Sequence, residues 1–98
     1  MNDQFEQEIQ EKGLTAPRVT LQRIEEIIVR EDYHVFPGTT TTIALLTLKN
    51  GSTVTGESVF VSLPHFDSEW GREIARDNAK QKIWALEEYA MRQKLHQS

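Results

Sequence analysis

The dipeptide Asn50-Gly51 constrains this chain more than any other feature, because it stands between two segments of β character. Asn-Gly supplies the positive φ angles of a two-residue hairpin turn. Ile43-Ala44-Leu45-Leu46-Thr47-Leu48, opened by the threonine run Thr39 to Thr42, and Ser52 to Val61 therefore read as paired antiparallel strands. The first is apolar on both faces, as expected of a central strand. In the second, alternation sets Val54, Gly56 and Ser58 on one face and Thr55, Glu57, Val59 and Val61 on the other. Gly56 inside a strand marks the close approach of another backbone. A helix packed over it is the favoured reading, and a ligand is the alternative.

After Pro64-His65-Phe66-Asp67 the apolar period becomes helical. Asp67 is a good N-cap, and the helix is expected from Ser68 to about Lys94. Trp70, Ile74, Ala75, Asn78, Ala79, Ile83, Leu86 and Ala90 form its inward stripe, with Trp84 and Tyr89 on the flanks. Such a helix spans ~40 Å, more than a small sheet needs, so it either kinks or lends its second half to another subunit. Upstream, Thr20 caps a shorter helix carrying Leu21, Ile24, Ile27 and Ile28 and ending near Arg30 or Glu31. Tyr33 to Phe36 begins another strand, interrupted by Pro37-Gly38, which can turn or bulge. Residues 1–14 read as a flexible arm or weak acidic helix, and 15–98 as one domain. The expected fold class is α+β: an antiparallel sheet of about three strands, covered by the long C-terminal helix and preceded by the shorter one.

With 98 residues there is room for one modest core, and self-association into a dimer or higher oligomer would help it. The absence of cysteine excludes disulfides, zinc fingers and thiol nucleophiles. No apolar run is long enough to span a membrane, and the acidic N-terminus lacks the pattern of a signal peptide. A net charge of −4 has the wrong sign for a protein that coats nucleic acid.

Few side chains suggest chemistry. His34, His65 and His96 lack metal-ligand spacing, no serine sits in a nucleophile elbow, and no glycine-rich phosphate loop occurs. No catalytic residue, metal or cofactor is assigned, and an enzyme is not expected. Arg72, Arg76 and Lys80 stack on one helix face, each three residues after Glu69, Glu73 or Asp77. They form either a solvated face of i,i+3 ion pairs or an anion site whose arginine forks hold a phosphate. Asn78, on the apolar stripe, is either a structural hydrogen-bonder or an amide that reads a ligand. Phe66 is either a hydrophobic staple on the first turn or a platform for a base, beside a helix N-terminus that attracts anions.

Taken together, Ala16-Pro17-Arg18-Val19-Thr20, Leu46-Thr47-Leu48-Lys49-Asn50-Gly51 and Val54-Thr55-Gly56-Glu57-Ser58 carry a resemblance. It continues through Phe66-Asp67, Glu69, Gly71, Ile74-Ala75, Asn78-Ala79, Lys82-Ile83-Trp84, Leu86-Glu87 and Tyr89. The chain resembles the gene-product 49/66 family of small proteins from tailed phages and prophages. It departs from that pattern at Ser52 (usually aromatic), Trp70 (usually a smaller aliphatic) and Ala85 (often proline). The resemblance implies a phage accessory protein working in the host cytoplasm. A looser likeness, in architecture, is to the anti-Thoeris and anti-CBASS sponges, oligomers that sequester cyclic nucleotide signals without turnover. It implies a pocket between subunits in which Phe66 or Trp70 stacks a base, Arg72 and Arg76 hold phosphate, and Asn78 reads the sugar or base edge. Two other readings stand beside it. One is a protein-interaction module that inhibits a host defence enzyme, through an apolar patch or an unpaired strand edge. The other is a DNA-associated factor with Arg72, Arg76, Lys80, Lys82, Arg92 and Lys94 in one groove.

Overall fold

The computed structural model describes residues 17–97; the expected N-terminal arm lies outside the described residues. The elements are α1 (Leu21–Ile27), β1 (Ile28–Val35), β2 (Thr41–Leu48), β3 (Thr53–Val59), a single 3-10 turn (Leu63–His65) and α2 (Ser68–Gln97). The sheet is antiparallel in the order β1-β2-β3, and α2 lies over β2 and β3. This is the expected α+β architecture with the expected central strand.

Local chemistry accounts for each boundary. Thr20 Oγ1 accepts the Arg23 N–H at 3.1 Å and opens α1. That helix stops at Ile27, three or four residues earlier than expected, because Ile28 turns extended and pairs with Leu48. The run Ile27-Ile28-Val29 is β-branched throughout and belongs as readily to a strand as to a helix. Pro37-Gly38 makes the turn from β1 to β2, with Gly38 at φ 76°. The second turn differs from the expected two-residue hairpin. Only Gly51 has positive φ, at 88°, and the Leu48 N–H reaches the Ser52 carbonyl at 2.8 Å. The loop is therefore the three-residue Lys49-Asn50-Gly51, a turn closed by one left-handed glycine. Asn50 contributes its side chain, which accepts the Ser52 N–H at 2.9 Å.

The core lies between the sheet and α2. Thr42, Ala44, Leu46 and Leu48 of β2 and Val54, Gly56 and Ser58 of β3 are buried under the helix, as the alternation required. The buried line of α2 is Gly71, Ala75, Ala79 and Ile83, with Trp84 joining it at 6% exposure. This corrects the expected stripe in both directions. Trp84, placed on a flank from sequence, is core. Trp70 at 59% exposure, Ile74, Asn78, Leu86 and Ala90, placed inward, are exposed. The cause is Gly56. A Cβ built there would stand 2.2 Å from the Ala75 carbonyl oxygen and 2.2 Å from the Ala79 nitrogen. Helix and strand touch backbone to backbone, so only small residues fit along the line of contact.

Candidate functional site

Asp67 caps α2, its Oδ1 accepting the Trp70 N–H at 2.9 Å and its backbone oxygen the Gly71 N–H at 2.8 Å. With that end capped and Glu69 in the first turn, an incoming anion finds little attraction there. Phe66 is half-buried, edge-on to Phe60 with ring centroids 5.6 Å apart. Its ring lies 3.5 Å from where a Gly71 Cβ would be, which is the position of a staple on the first turn. Phe60 also meets Trp70 edge-on at 6.5 Å. The three rings form one aromatic wall, with the Trp70 indole open to solvent and Val59, Val61 and Leu63 exposed along the same stretch of chain.

Asn78 sits at the outer edge of β3. Its Nδ2 donates to the Glu57 carbonyl at 2.7 Å, and four residues on, Lys82 Nζ lies 3.4 Å from Thr55 Oγ1. These residues, with Ile43 and Gly56, line an open depression of about 320 Å³. Trp70, Ile74 and Asn78 are spaced four apart and so share one ridge, on the β3 side of the helix.

The arginines occupy the other flank. Arg76 donates to both oxygens of Glu25, at 3.1 and 2.8 Å, and to Glu31 at 3.0 Å. Lys80 also reaches Glu25, at 2.8 Å. The cations thus pair across elements, with α1 and β1, rather than within the helix as the i,i+3 spacing suggested. The reason is that Arg76 and Lys80 are largely covered, while Glu69, Glu73 and Asp77 turn outward. Arg76 holds the Glu25 carboxyl down at about 2, against desolvation and with help from Lys80. It lowers Glu31 the same way, with a further hydrogen bond from Tyr33 at 2.7 Å. The Tyr33 phenol is pushed up to about 12 by burial and by that bond. Arg72 is exposed and makes no hydrogen bond or ion pair among the described residues.

Of the five residues singled out from sequence, Phe66 and Trp70 meet through Phe60, and Asn78 follows Trp70 along one ridge. Arg72 and Arg76 lie across the helix from them, and Arg76 is already bonded to two carboxylates. The six cations of the DNA reading are likewise divided, Lys82 standing opposite Arg76 and Lys80. Sequence reasoning missed Phe60 and Thr55 as members of a site, and placed Lys82 only in the DNA groove. Gly56 was their signal, since the helix it draws in brings Asn78 and Lys82 to the strand edge. Among the described residues no group of three or more histidines and carboxylates could hold a metal, and no helix is long and apolar enough to cross a membrane.

Comparison with curated proteins and with solved structures gave no significant match. A family model, by contrast, spans nearly the whole described chain, from the Val19 that anchors α1 in the core to Leu95 near the end of α2. By that match over residues 19–95, the chain belongs to the phage protein family of N4 Gp49 and phage Sf6 gene 66.

Proposed function

We propose that this phage accessory protein acts by binding, capturing a small nucleotide signal without turning it over. The observation that carries the reading is the open indole of Trp70, backed edge-on by Phe60 and seated beside the Phe66 staple. Such a wall offers a rigid π-face to a base, and stacking of this kind is worth ~1–3 kcal/mol per base. Asn78, on the same ridge, has a carboxamide oxygen free to read a base or ribose edge, because its nitrogen is bonded to Glu57. Within one copy the uncommitted guanidinium of Arg72 faces away from this wall, so a closed pocket needs a second copy. Arg76 is assigned a structural part, since a phosphate would have to displace two carboxylates.

A second reading is favoured by the same end of the molecule. Val59, Val61 and Leu63 extend the aromatic wall into an exposed apolar surface, the kind that marks a protein partner. Native mass spectrometry with a panel of cyclic and ADP-ribose-derived nucleotides separates the two. A stoichiometric adduct without product, lost in Trp70→Ala and kept in Arg76→Gln, supports capture of a nucleotide. If no nucleotide binds and the Trp70→Ala protein loses a host protein partner, the capture reading fails.

A further inference from the structure

The helices cover one side of the sheet only. Thr42, Ala44 and Leu46 of β2 are buried toward α2, and Ile24 and Ile27 of α1 join the same core. Residues paired across an antiparallel sheet share a face, so the register fixes what the other side carries. Read from β1 through β2 to β3, its rows are Arg30-Thr47-Thr53, Asp32-Leu45-Thr55 and His34-Ile43-Glu57. A further row, Phe36-Thr41-Val59, follows from the Phe36 N–H, which bonds the Thr41 carbonyl at 3.3 Å, and from the pairing of Thr41 with Val59. His34 and Phe36 meet edge-on with ring centroids 4.6 Å apart, as neighbours on one face do.

Two observations mark this bare side as a contact surface. An antiparallel strand with one side in water alternates apolar and polar residues. β2 does not, since Ile43, Ala44, Leu45 and Leu46 are apolar in succession. At one end of the same side Phe36 is 46% exposed and Val59 67%. The second observation is polar. The Glu57 carboxylate and the His34 ring have no hydrogen-bond or ion-pair partner among the described residues, whereas Arg30 and Asp32 hold each other at 2.8 Å.

We infer that a second copy of this chain covers this side, sheet on sheet, about a two-fold axis that runs along β2 between the layers. Stacked sheets lie ~10 Å apart with their strands within ~30° of each other, which leaves both helical layers outside. The rotation keeps each row at its own level and lays β1 of each copy over β3 of the other. Ile43 and Leu45 then meet their own counterparts at the axis. Phe36 falls on Val59, so the exposed apolar end is closed twice by symmetry. His34 comes opposite Glu57, where an imidazole N–H can donate to the carboxylate. Arg30 and Asp32 keep their own pair and face the hydroxyls of Thr53 and Thr55. The surface is thus complementary to itself, and this selects a second copy as its occupant. Turning the copy across the strands instead would set Phe36 and Val59 over the Arg30 row, apolar groups on a charged pair.

The contact is three strands wide and about seven residues long, ~14 by ~24 Å. That is less than the ~800 Å² per partner of a standard interface, so the dimer should dissociate in the micromolar range. The seam forms without nucleotide and leaves α2 with its aromatic wall outside, so it stands or falls apart from the capture reading.

Sedimentation velocity of the full chain without nucleotide, from low to high micromolar concentration, tests the seam. A monomer passing into a dimer across that range is expected. His34→Glu sets carboxylates together on both sides of the axis and should weaken association by at least ~10-fold, as like charges facing across an interface do. His34→Glu combined with Glu57→His exchanges the two groups and should recover association to within ~3-fold. Leu45→Glu places two carboxylates at the axis and should abolish the dimer. His34 and Glu57 are exposed in the subunit, and unchanged circular dichroism and melting separate lost association from lost folding. If Leu45→Glu does not fold, the exchange of His34 and Glu57 decides alone. A chain that stays monomeric throughout, or a dimer that His34→Glu or a folded Leu45→Glu leaves intact, overturns the inference. So does an exchange variant no better than His34→Glu.

Discussion

Replacing Gly56 by alanine tests the contact on which the fold turns. The added Cβ would stand 2.2 Å from both the Ala75 oxygen and the Ala79 nitrogen, where ordinary contact begins at 3.4 Å. Those are backbone atoms of a helix interior, so no rotamer change relieves the clash. The helix must move off the strand by about 1 Å, and gaps of ~0.5–1 Å already forfeit a quarter to a half of each contact's attraction. Ala75, Ala79 and Ile83 would all lose packing against the sheet. Overpacking typically costs ~1–3 kcal/mol, and a clash with fixed backbone belongs at the upper end. Against this stands the ~0.5–1 kcal/mol that alanine ordinarily gains over glycine inside a strand. The net loss should be about 2–3 kcal/mol, a large share of the ~5–15 kcal/mol typical of a folded domain. At ~4–8 °C per kcal/mol, Tm should fall by roughly 10–20 °C in a circular dichroism melt. Thr53→Ala, exposed on the same strand, should cost less than ~1 kcal/mol. A Gly56→Ala protein melting within a few degrees of the parent would refute the close contact.

Three further outcomes follow from the polar groups. Thr42 Oγ1 is buried with no hydrogen-bond partner, so Thr42→Val should stabilise by about 1–2 kcal/mol, read as a higher urea midpoint at unchanged m. A lower midpoint would mean that the hydroxyl is bonded. Glu25 and Glu31 have lowered folded-state pKa values, so their contribution is complete above the ordinary carboxylate value of 4.5 and is lost as pH falls below it, for Glu25 toward about 2. Stability measured in urea should decline across that window, and Arg76→Gln should flatten the decline; an equally steep decline in the variant would assign it to other carboxylates. For Tyr33 the sign reverses, because a raised pKa favours the neutral phenol and its contribution is lost as pH rises from 10.0 to about 12. Absorbance titration should show one tyrosine ionising late, and Tyr33→Phe should remove that late step. Two tyrosines ionising together would refute its burial.

The sheet and the long helix could be read from sequence because their signals are local. Asn50-Gly51 marks a turn whichever hairpin it makes, Asp67 and Thr20 are caps wherever a helix follows, and the alternation in β3 sorted its two faces correctly. Pairing that depends on distant residues could not be read. Nothing in the spacing of Arg72, Arg76 and Lys80 says that Glu25 and Glu31, some fifty positions earlier, will stand across from them. The end of α1 was missed for a related reason: Ile28 fits either the helical period or the strand, and only its pairing with Leu48 decides between them.

The misjudged face of α2 is the most instructive difference, because it bears on function. Reading the helix by hydrophobicity puts Trp70, Ile74 and Leu86 inside, since burying large apolar side chains gains most. That rule assumes the surface opposite has room. Here Gly56 draws the helix backbone against the strand, and the closest line of approach admits only Gly71, Ala75 and Ala79. The larger residues one ridge over are displaced to the rim. Trp70 is then free to form a wall with Phe60, while Asn78 and Lys82 lie over the outer edge of β3. The aromatic surface proposed to hold a ligand is thus a consequence of one glycine.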